Sequence, residues 1–415
     1  MTDAALIGST LYLLTHRNAP HFKVLRVDLA NPDLASAPVV VPESAAVITG
    51  IAAGKDALYV RRMSAGVSDL LPPRARVARA RHAWSSCRSR ATSIALAADP
   101  RQPGVVFDTG TWTRFGGYYA YDPAAGERRS TRSCSRRAAT TIPATSVSTE
   151  VKAKSHDGTL VPLSIVHRKG LKLDGTAPTI LYGYGAYGIS QTPFFRPQYL
   201  AWFERGGVLA VAHVRGGGEN GEEWYKGGYQ QTKPNTWRDA IACAEWLIAN
   251  RLHVAARARD RGRQPGRHLR RAARSPSARI SSARRSTRFR YPTPYASSFE
   301  SNGELDKTEM GTTETEAGFR ALYAMSPYHH IAGRREISGG ARHDRHQRSA
   351  RRRVAGREDG GSAAGGQHER QARAACASIS TRATAYGSTK KQRNEELADT
   401  LAFLLWQFGV KGYVP

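Results

Sequence analysis

The chain has 415 residues, enough for two domains of ordinary size, with a formal charge of +28 and a pI near 10.5. Its apolar runs all fall short of the roughly 18 residues of a membrane-spanning helix. Its four cysteines (Cys87, Cys134, Cys243, Cys376) show neither CxxC nor Cys/His spacing, so neither a disulfide framework nor a zinc site is implied. No metal, cofactor or membrane partner is expected. The N-terminus lacks a basic region and a cleavage site, so the expected location is cytoplasmic, with the periplasm left open.

Residues 3–123 are predicted to form short strands separated by turns. The strand runs are Leu11–Leu14, Phe22–Val27, Val39–Val41, Ala57–Val60 and Gly117–Tyr121, with turn signals at Asn31-Pro32-Asp33, Asp99-Pro100 and Asp122-Pro123. This spacing predicts an all-β array. At about 40–45 residues per propeller blade, the segment supplies roughly three blades.

Residues 148–168 alternate across Asp157-Gly158, a strong hairpin signal. An apolar run at Pro178–Tyr184 then leads into Gly183-Tyr184-Gly185-Ala186-Tyr187-Gly188. A second run at Val208–Val214 breaks on Arg215-Gly216-Gly217-Gly218-Glu219-Asn220-Gly221. Runs of this kind are buried parallel strands, and glycines after strand ends mark close backbone approach. Two such turns lie along one edge of an α/β sheet, where ligands bind.

A helix is expected at 235–250, capped by Asn235, with Trp237, Ile241, Ala244 and Ile248 packing the core. Another is expected at 394–408, with Leu397, Leu401, Leu404, Leu405 and Phe408 on one face and Gly409 as its stop. His213, inside an apolar strand, is expected to be a satisfied structural histidine, and His156 a hairpin side chain. Arg215 and Glu219 are expected to brace the second glycine turn.

The basic charge is uneven. Residues 251–290 hold 14 Arg, no Lys and one acid, Asp260, and 334–382, 72–90 and 127–137 are likewise Arg-rich without Lys. A phosphate-binding surface uses Lys freely. Arg with Ala, Gly, Ser and Pro but no Lys is the signature of GC-rich codons read out of frame.

The two glycine turns, with the Glu222-Glu223-Trp224-x-Lys226-Gly227 that follows, resemble the prolyl oligopeptidase family of serine peptidases. The resemblance runs through 1–70, 91–123, 148–254, 299–333 and 386–409. It implies an α/β-hydrolase-type peptidase domain at 146–415, incomplete and disrupted at 255–298 and 334–385. Ahead of it, at 1–145, it implies a partial all-β propeller that begins mid-array. By resemblance, Tyr184 helps stabilise an oxyanion, where a phenol donor aimed at developing charge is worth about 3 kcal/mol. Tyr187 lines the pocket for the substrate proline. The implied activity is that of a serine oligopeptidase of short proline-containing peptides.

That fold needs a nucleophile in Gly-x-Ser-x-Gly, followed in order by Asp and His. The sequence contains no Gly-x-Ser-x-Gly; Gly360-Gly361-Ser362-Ala363-Ala364-Gly365 lacks the last glycine at its required place. Reading Gly262–Leu269 one base later, with G or C in third positions, yields Gly-Gly-Ser-x-Gly-Gly-Ile, its Ser codon spanning Gln264 and Pro265. The same shift over His343–Glu358 can yield, with suitable codons, an Asn-Asp-x-Arg-Val loop, its Asp codon spanning Arg348 and Ser349. The opposite shift over Ala377–Thr384 permits a His codon spanning Ala383 and Thr384. As written, Gln264, Arg348 and Thr384 cannot act as nucleophile, orienting carboxylate and base. No intact triad is expected, and the chain is expected to be inactive. Two readings compete with a disrupted peptidase: an Arg-rich nucleic-acid-binding protein, which lacks interleaved aromatics or an RNA-binding motif, and a catalytically dead module that still binds peptide. The expected partner is a peptide, with no specific nucleic acid.

Overall fold

In the computed structural model the described residues are 2–71, 96–114, 116–123, 127–130, 145–172, 174–252, 258–262, 285–287, 303–325, 340–342, 389–408 and 410–413. The chain divides into two compact units. One comprises 1–147, 190–196 and 218–225, and the other 148–189, 197–217 and 226–415.

The first unit is the expected β array. Period-2 alternation gives three antiparallel meanders. The first holds β1 (Asp3–Ile7), β2 (Thr10–Thr15), β3 (Lys23–Asp28) and β4 (Val39–Val41). The second holds β5 (Val47–Ala53), β6 (Leu58–Ser64) and β7 (Val67–Leu71). The third holds β8 (Leu96–Ala97), β9 (Val105–Thr109), β10 (Gly117–Asp122) and β11 (Glu127–Ser130). One apolar cluster joins the first two meanders through Leu14, Val24, Ile48, Ile51 and Val60. A second joins the next two through Tyr59, Leu70, Val105, Phe107 and Tyr121. Each meander thus buries one face against the next, as sheets with a single apolar face must.

The second unit is built on a mixed five-stranded sheet of β12 (Ser146–Lys154), β13 (Leu160–Arg168), β14 (Thr179–Gly183), β15 (Val208–Ala212) and β16 (Ala258–Gly262), in the order β12-β13-β15-β14-β16. The Asp157-Gly158 turn closes the β12–β13 hairpin, with Gly158 at φ +87° and the Ser155 amide donating to the Thr159 carbonyl at 2.7 Å. β13 is antiparallel to β15, whereas β14 is parallel to both β15 and β16. β15 is buried along its whole length, which explains its unbroken apolar run, Val208-Leu209-Ala210-Val211-Ala212.

Between β14 and β15 lies α1 (Leu200–Phe203), whose Trp202 is buried and donates its indole N–H to the Val208 carbonyl at 3.1 Å. A Cβ at Gly207 would fall 2.3 Å from that indole, so glycine is needed there. After β15 come α2 (Glu222–Lys226) and α3 (Pro234–Ala249), then α4 (Gly303–Met310) and α5 (Glu316–Met325), and last α6 (Lys390–Gln407). The remaining strands, β17 (Arg285–Thr287) and β18 (Gly340–Arg342), pair in parallel with each other. Phe408, just past α6, packs its ring 6.1 Å from that of Trp202.

Two helix expectations need correction. The helix predicted at 235–250 runs Pro234–Ala249, with Pro234 in the first turn, where its missing N–H costs nothing. Asn235 is therefore not its N-cap; its side chain donates instead to the Gly227 carbonyl at 2.9 Å. The buried face carries Thr236, Asp239, Ala240, Cys243 and Leu247, and Trp237 is buried as expected, whereas Ile241, Ala244 and Ile248 are half-buried. Apolar periodicity misplaced the face because two of its innermost positions are polar.

The helix predicted at 394–408 begins at Lys390. Thr389 caps it in a reciprocal box, accepting from the Gln392 amide at 3.2 Å while Gln392 accepts from the Thr389 amide at 2.9 Å. Leu401, Leu404, Leu405 and Phe408 are buried as expected, Leu397 is half-buried, and Gly409 lies outside the described residues.

Candidate active site

Because β14, β15 and β16 are parallel, their carboxyl ends share one edge of the sheet, with Gly183 level with both Ala212 and Gly262. Tyr184 follows directly on β14, and Arg215 stands three residues past β15. Ligands of open α/β sheets bind outside such an edge. Gln264 is two positions beyond β16. It lies outside the described residues, as do Arg348, Thr384 and the Ser362 segment.

The tyrosine turn is conformationally demanding. Gly185, Tyr187 and Gly188 have φ of +63°, +57° and +62°. Left-handed backbone is open to glycine but uncommon for a bulky aromatic residue such as Tyr187. Strain of this kind persists only where the surroundings enforce it, and it clusters at functional sites. Here the enforcement is visible. Ala186 is fully buried, the Gly188 amide donates to the Gly216 carbonyl at 3.1 Å, and the Ile189 amide donates to the Ala186 carbonyl at 3.1 Å. Tyr184 and Tyr187 are both half-buried.

The two glycine turns interlock. A Cβ at Gly216, itself at φ +95°, would lie 2.2 Å from the Gly185 carbonyl oxygen. One at Gly185 would lie 2.5 Å from the Thr236 methyl and 2.6 Å from that of Val214. Only hydrogen fits at either position, which gives the glycine density a steric cause.

Arg215 is held by carboxylates. Its Nε and Nη2 donate to Asp239 Oδ2 and Oδ1 at 2.9 and 2.7 Å, its backbone amide donates to Oδ2 at 3.0 Å, and its Nη1 donates to Asp157 Oδ2 at 2.6 Å. Asp239 is completely buried, and a bidentate pair with further hydrogen bonds is the arrangement that makes a buried charge tolerable. Burial disfavours the charge on Asp157, but hydrogen bonds from Arg215 and Thr159 outweigh it and hold the carboxyl well below the usual carboxylate range. Burial likewise opposes the charge on Arg215, and its two aspartates override it and raise its pKa.

A relay feeds the same carboxylate. Arg238 Nη1 can only donate, so His156 Nε2, 3.2 Å away, accepts. His156 Nδ1 then donates to Ser155 Oγ at 3.2 Å, and Ser155 donates to Asp239 Oδ1 at 2.6 Å. Burial lowers the His156 pKa; Asp157 opposes this, and Arg238 and Arg215 reinforce it, so the neutral ring fits its accepting role. The cluster of Ser155, His156 and Asp239 is thus a structural knot: the serine proton points at the carboxylate, not at the imidazole.

His213 lies in the core as a structural histidine. It is fully buried, with Nε2 2.8 Å from Ser164 Oγ. Ser164 gives its one proton to Glu150 Oε2 at 2.5 Å, so the histidine is the donor to the hydroxyl. Glu219, in the first unit, accepts from the Gln191 amide at 2.6 Å.

Sequence reasoning missed Lys233 and Glu309. Both are fully buried and form an ion pair, and Lys233 Nζ also donates to the Gly185 carbonyl at 2.9 Å. Lys233, a surface residue type directly before a helix-starting proline, gave no outward signal of this role.

Among the described residues no group of three or more His, Cys, Asp or Glu is arranged to hold a metal. Cys243 is fully buried, and burial together with the nearby Asp239 charge pushes its thiol far up.

A mixed sheet with parallel central strands, helices packed on it, and two interlocked glycine turns at its carboxyl edge defines an α/β fold. Residues 193–259 match the prolyl oligopeptidase family model. The chain is 31% identical over 272 residues to the dual function macrocyclase-peptidase POPB of Galerina marginata, covering 62% of this chain and 36% of that relative. It is 47% identical over 104 residues to a prolyl endopeptidase of Elizabethkingia miricola, covering 25% of this chain and 15% of that one. A solved prolyl endopeptidase superposes with a TM-score of 0.82 at 22% identity, over 99% of this chain and 60% of that chain. Prolyl oligopeptidase B from Galerina marginata, bound to a 25mer macrocyclization substrate, superposes at 0.81 with 22% identity, over 98% and 57%.

Residues 193–259 thus carry a prolyl oligopeptidase family match, and over 62% of its length the chain is similar to a curated peptidase. Its matched region spans about a third of the length of the Galerina relative.

Proposed function

We propose that the chain is a serine oligopeptidase of short proline-containing peptides by descent, and that as written it binds such peptides at the tyrosine turn without cleaving them. The observation that carries this reading is the placement of Tyr184 and the left-handed Tyr187 at the carboxyl edge of the parallel strands. Tyr187 supplies a flat ring for a pyrrolidine, and Tyr184 a phenol for a peptide carbonyl. The relatives named as a macrocyclase-peptidase and a prolyl endopeptidase, and a structural neighbour bound to a macrocyclization substrate, support a peptide as the ligand.

Cleavage is a separate matter. The written sequence has no Gly-x-Ser-x-Gly, and Gln264, Arg348 and Thr384 offer no nucleophile, carboxylate or base. An oxyanion donor and binding alone leave at most about 10³–10⁴-fold over water. In the same reading the three meanders of 1–145 are blades of a partial propeller, and 146–415 is an incomplete hydrolase domain located in the cytoplasm.

The test uses the purified chain with a fluorogenic Gly-Pro substrate, a serine-directed fluorophosphonate probe, and calorimetry with a proline-containing peptide. Peptide binding without turnover or labelling is expected. Labelling of any serine would refute the missing triad, and an absence of peptide binding would refute the retained pocket. Tight sequence-selective nucleic-acid binding would favour the Arg-rich alternative.

A further inference from the structure

Thr236 and Lys233 both approach the Gly185 carbonyl, but only one of them serves it well. The Thr236 hydroxyl has a single proton, which goes to the Arg215 carbonyl at 2.7 Å and leaves Gly185 O at 3.5 Å. Lys233 Nζ reaches Gly185 O at 2.9 Å and pairs with Glu309 Oε1. Both charged groups are fully enclosed, at 0% and 1% exposed.

A buried ion pair is a poor source of stability, since apolar replacements of similar volume are often neutral or better. What an apolar pair cannot do is donate to a carbonyl inside a strained turn. The α4 helix that carries Glu309 is tied to the segment just ahead of Lys233 by Gln230 Nε2, which donates to the Thr308 carbonyl at 3.2 Å. The carboxylate is therefore presented from a fixed element.

We propose that Lys233 and Glu309 are positioning residues for the tyrosine turn: Glu309 keeps the ammonium charged and aimed, and the ammonium pins the Gly185 carbonyl, which sets how Tyr184 and Tyr187 meet a proline-containing peptide. The peptide half of this inference rests on the function proposed above; the turn half does not.

The experiment compares the full chain with the double variant Lys233→Met/Glu309→Leu and the single variants Glu309→Gln, Lys233→Met and Lys233→Arg. Hydrogen exchange is followed in the fragment covering 183–189, which holds the Gly188 and Ile189 amides, alongside thermal midpoint and peptide affinity. The double variant is expected to keep its midpoint within a few degrees, to exchange at 183–189 at least about tenfold faster, and to bind peptide about fivefold or more weakly. Should the double variant not fold, Glu309→Gln, which keeps the side-chain volume, is expected to show the same faster exchange. Lys233→Arg, which retains a cationic donor, is expected to exchange within about twofold of wild type. Unchanged exchange in the folded double variant, or Met serving as well as Arg at 233, overturns the proposal. Wild-type chain that binds no proline peptide refutes the functional reading alone, because exchange still decides the role of the pair.

Discussion

Arg215 and Asp239, 24 residues apart, meet in a bidentate pair that also ties the Arg215 amide to the same carboxylate. Through this contact α3 grips the turn that follows β15. It turns a polar position on the buried face of a helix into an anchor for the sheet edge where the candidate site lies.

Breaking that pair from one side leaves a charge enclosed. Asp239→Leu or Arg215→Met is expected to destabilise the chain by about 3–5 kcal/mol. Arg215→Met/Asp239→Leu is expected to cost clearly less than the sum of the singles, because the groups couple directly. Urea denaturation of the four proteins checks this, and strict additivity would contradict the coupling.

Asp157 makes stability sensitive to acid. Its folded pKa lies below the ordinary carboxylate value of about 3.9. Its contribution is therefore complete above that value and is lost as pH falls from about 4 toward the depressed folded pKa. Asp157→Asn is expected to give a shallower acid limb than wild type and an unchanged slope between pH 6 and 8. Parallel acid limbs in the two proteins would sink the assignment.

Gly216→Ala is expected to cost more than about 2 kcal/mol, since it adds a clash with the Gly185 carbonyl to the strain of φ +95°. Gly8→Ala supplies the control. Its φ is +58°, and nothing lies within 4 Å of the added methyl, so the cost should be about 1 kcal/mol. Equal costs at the two sites would mean that the turns do not interlock.

Cys243 is expected to resist iodoacetamide at pH 8 in the native chain and to react once the chain is unfolded in urea. Burial and the nearby Asp239 keep it a thiol. Mass spectrometry of the fragment containing residue 243 decides the matter, and rapid native alkylation would count against the packing of α3.

Tyr187→Ala is expected to weaken binding of a proline-containing peptide by up to about tenfold, the scale of one lost aromatic contact. Tyr184→Phe should change affinity by less than about threefold, because a phenol directed at an oxyanion matters mainly when charge develops. Calorimetry on both variants provides the comparison, and an unaltered affinity in Tyr187→Ala would remove the ring from the binding surface.

What could be seen in the amino-acid order was whatever repeats locally. Period-2 runs marked β2, β3, β4, β6 and β10 to within a few residues, Asp157-Gly158 marked the hairpin, and glycines after β14 and β15 marked the two turns. The missing Gly-x-Ser-x-Gly is likewise a plain property of the chain. Tertiary structure alone decided which face of α3 is buried, because Thr236 and Asp239 read as solvent-facing until Arg215 arrives from another element. It alone joined Lys233 to Glu309 across 76 positions, and set β14 between β15 and β16 so that their carboxyl ends share an edge. The physical reason is the same each time. A polar group is buried only when its partner is present, and neither the partner nor its distance leaves a trace in local periodicity.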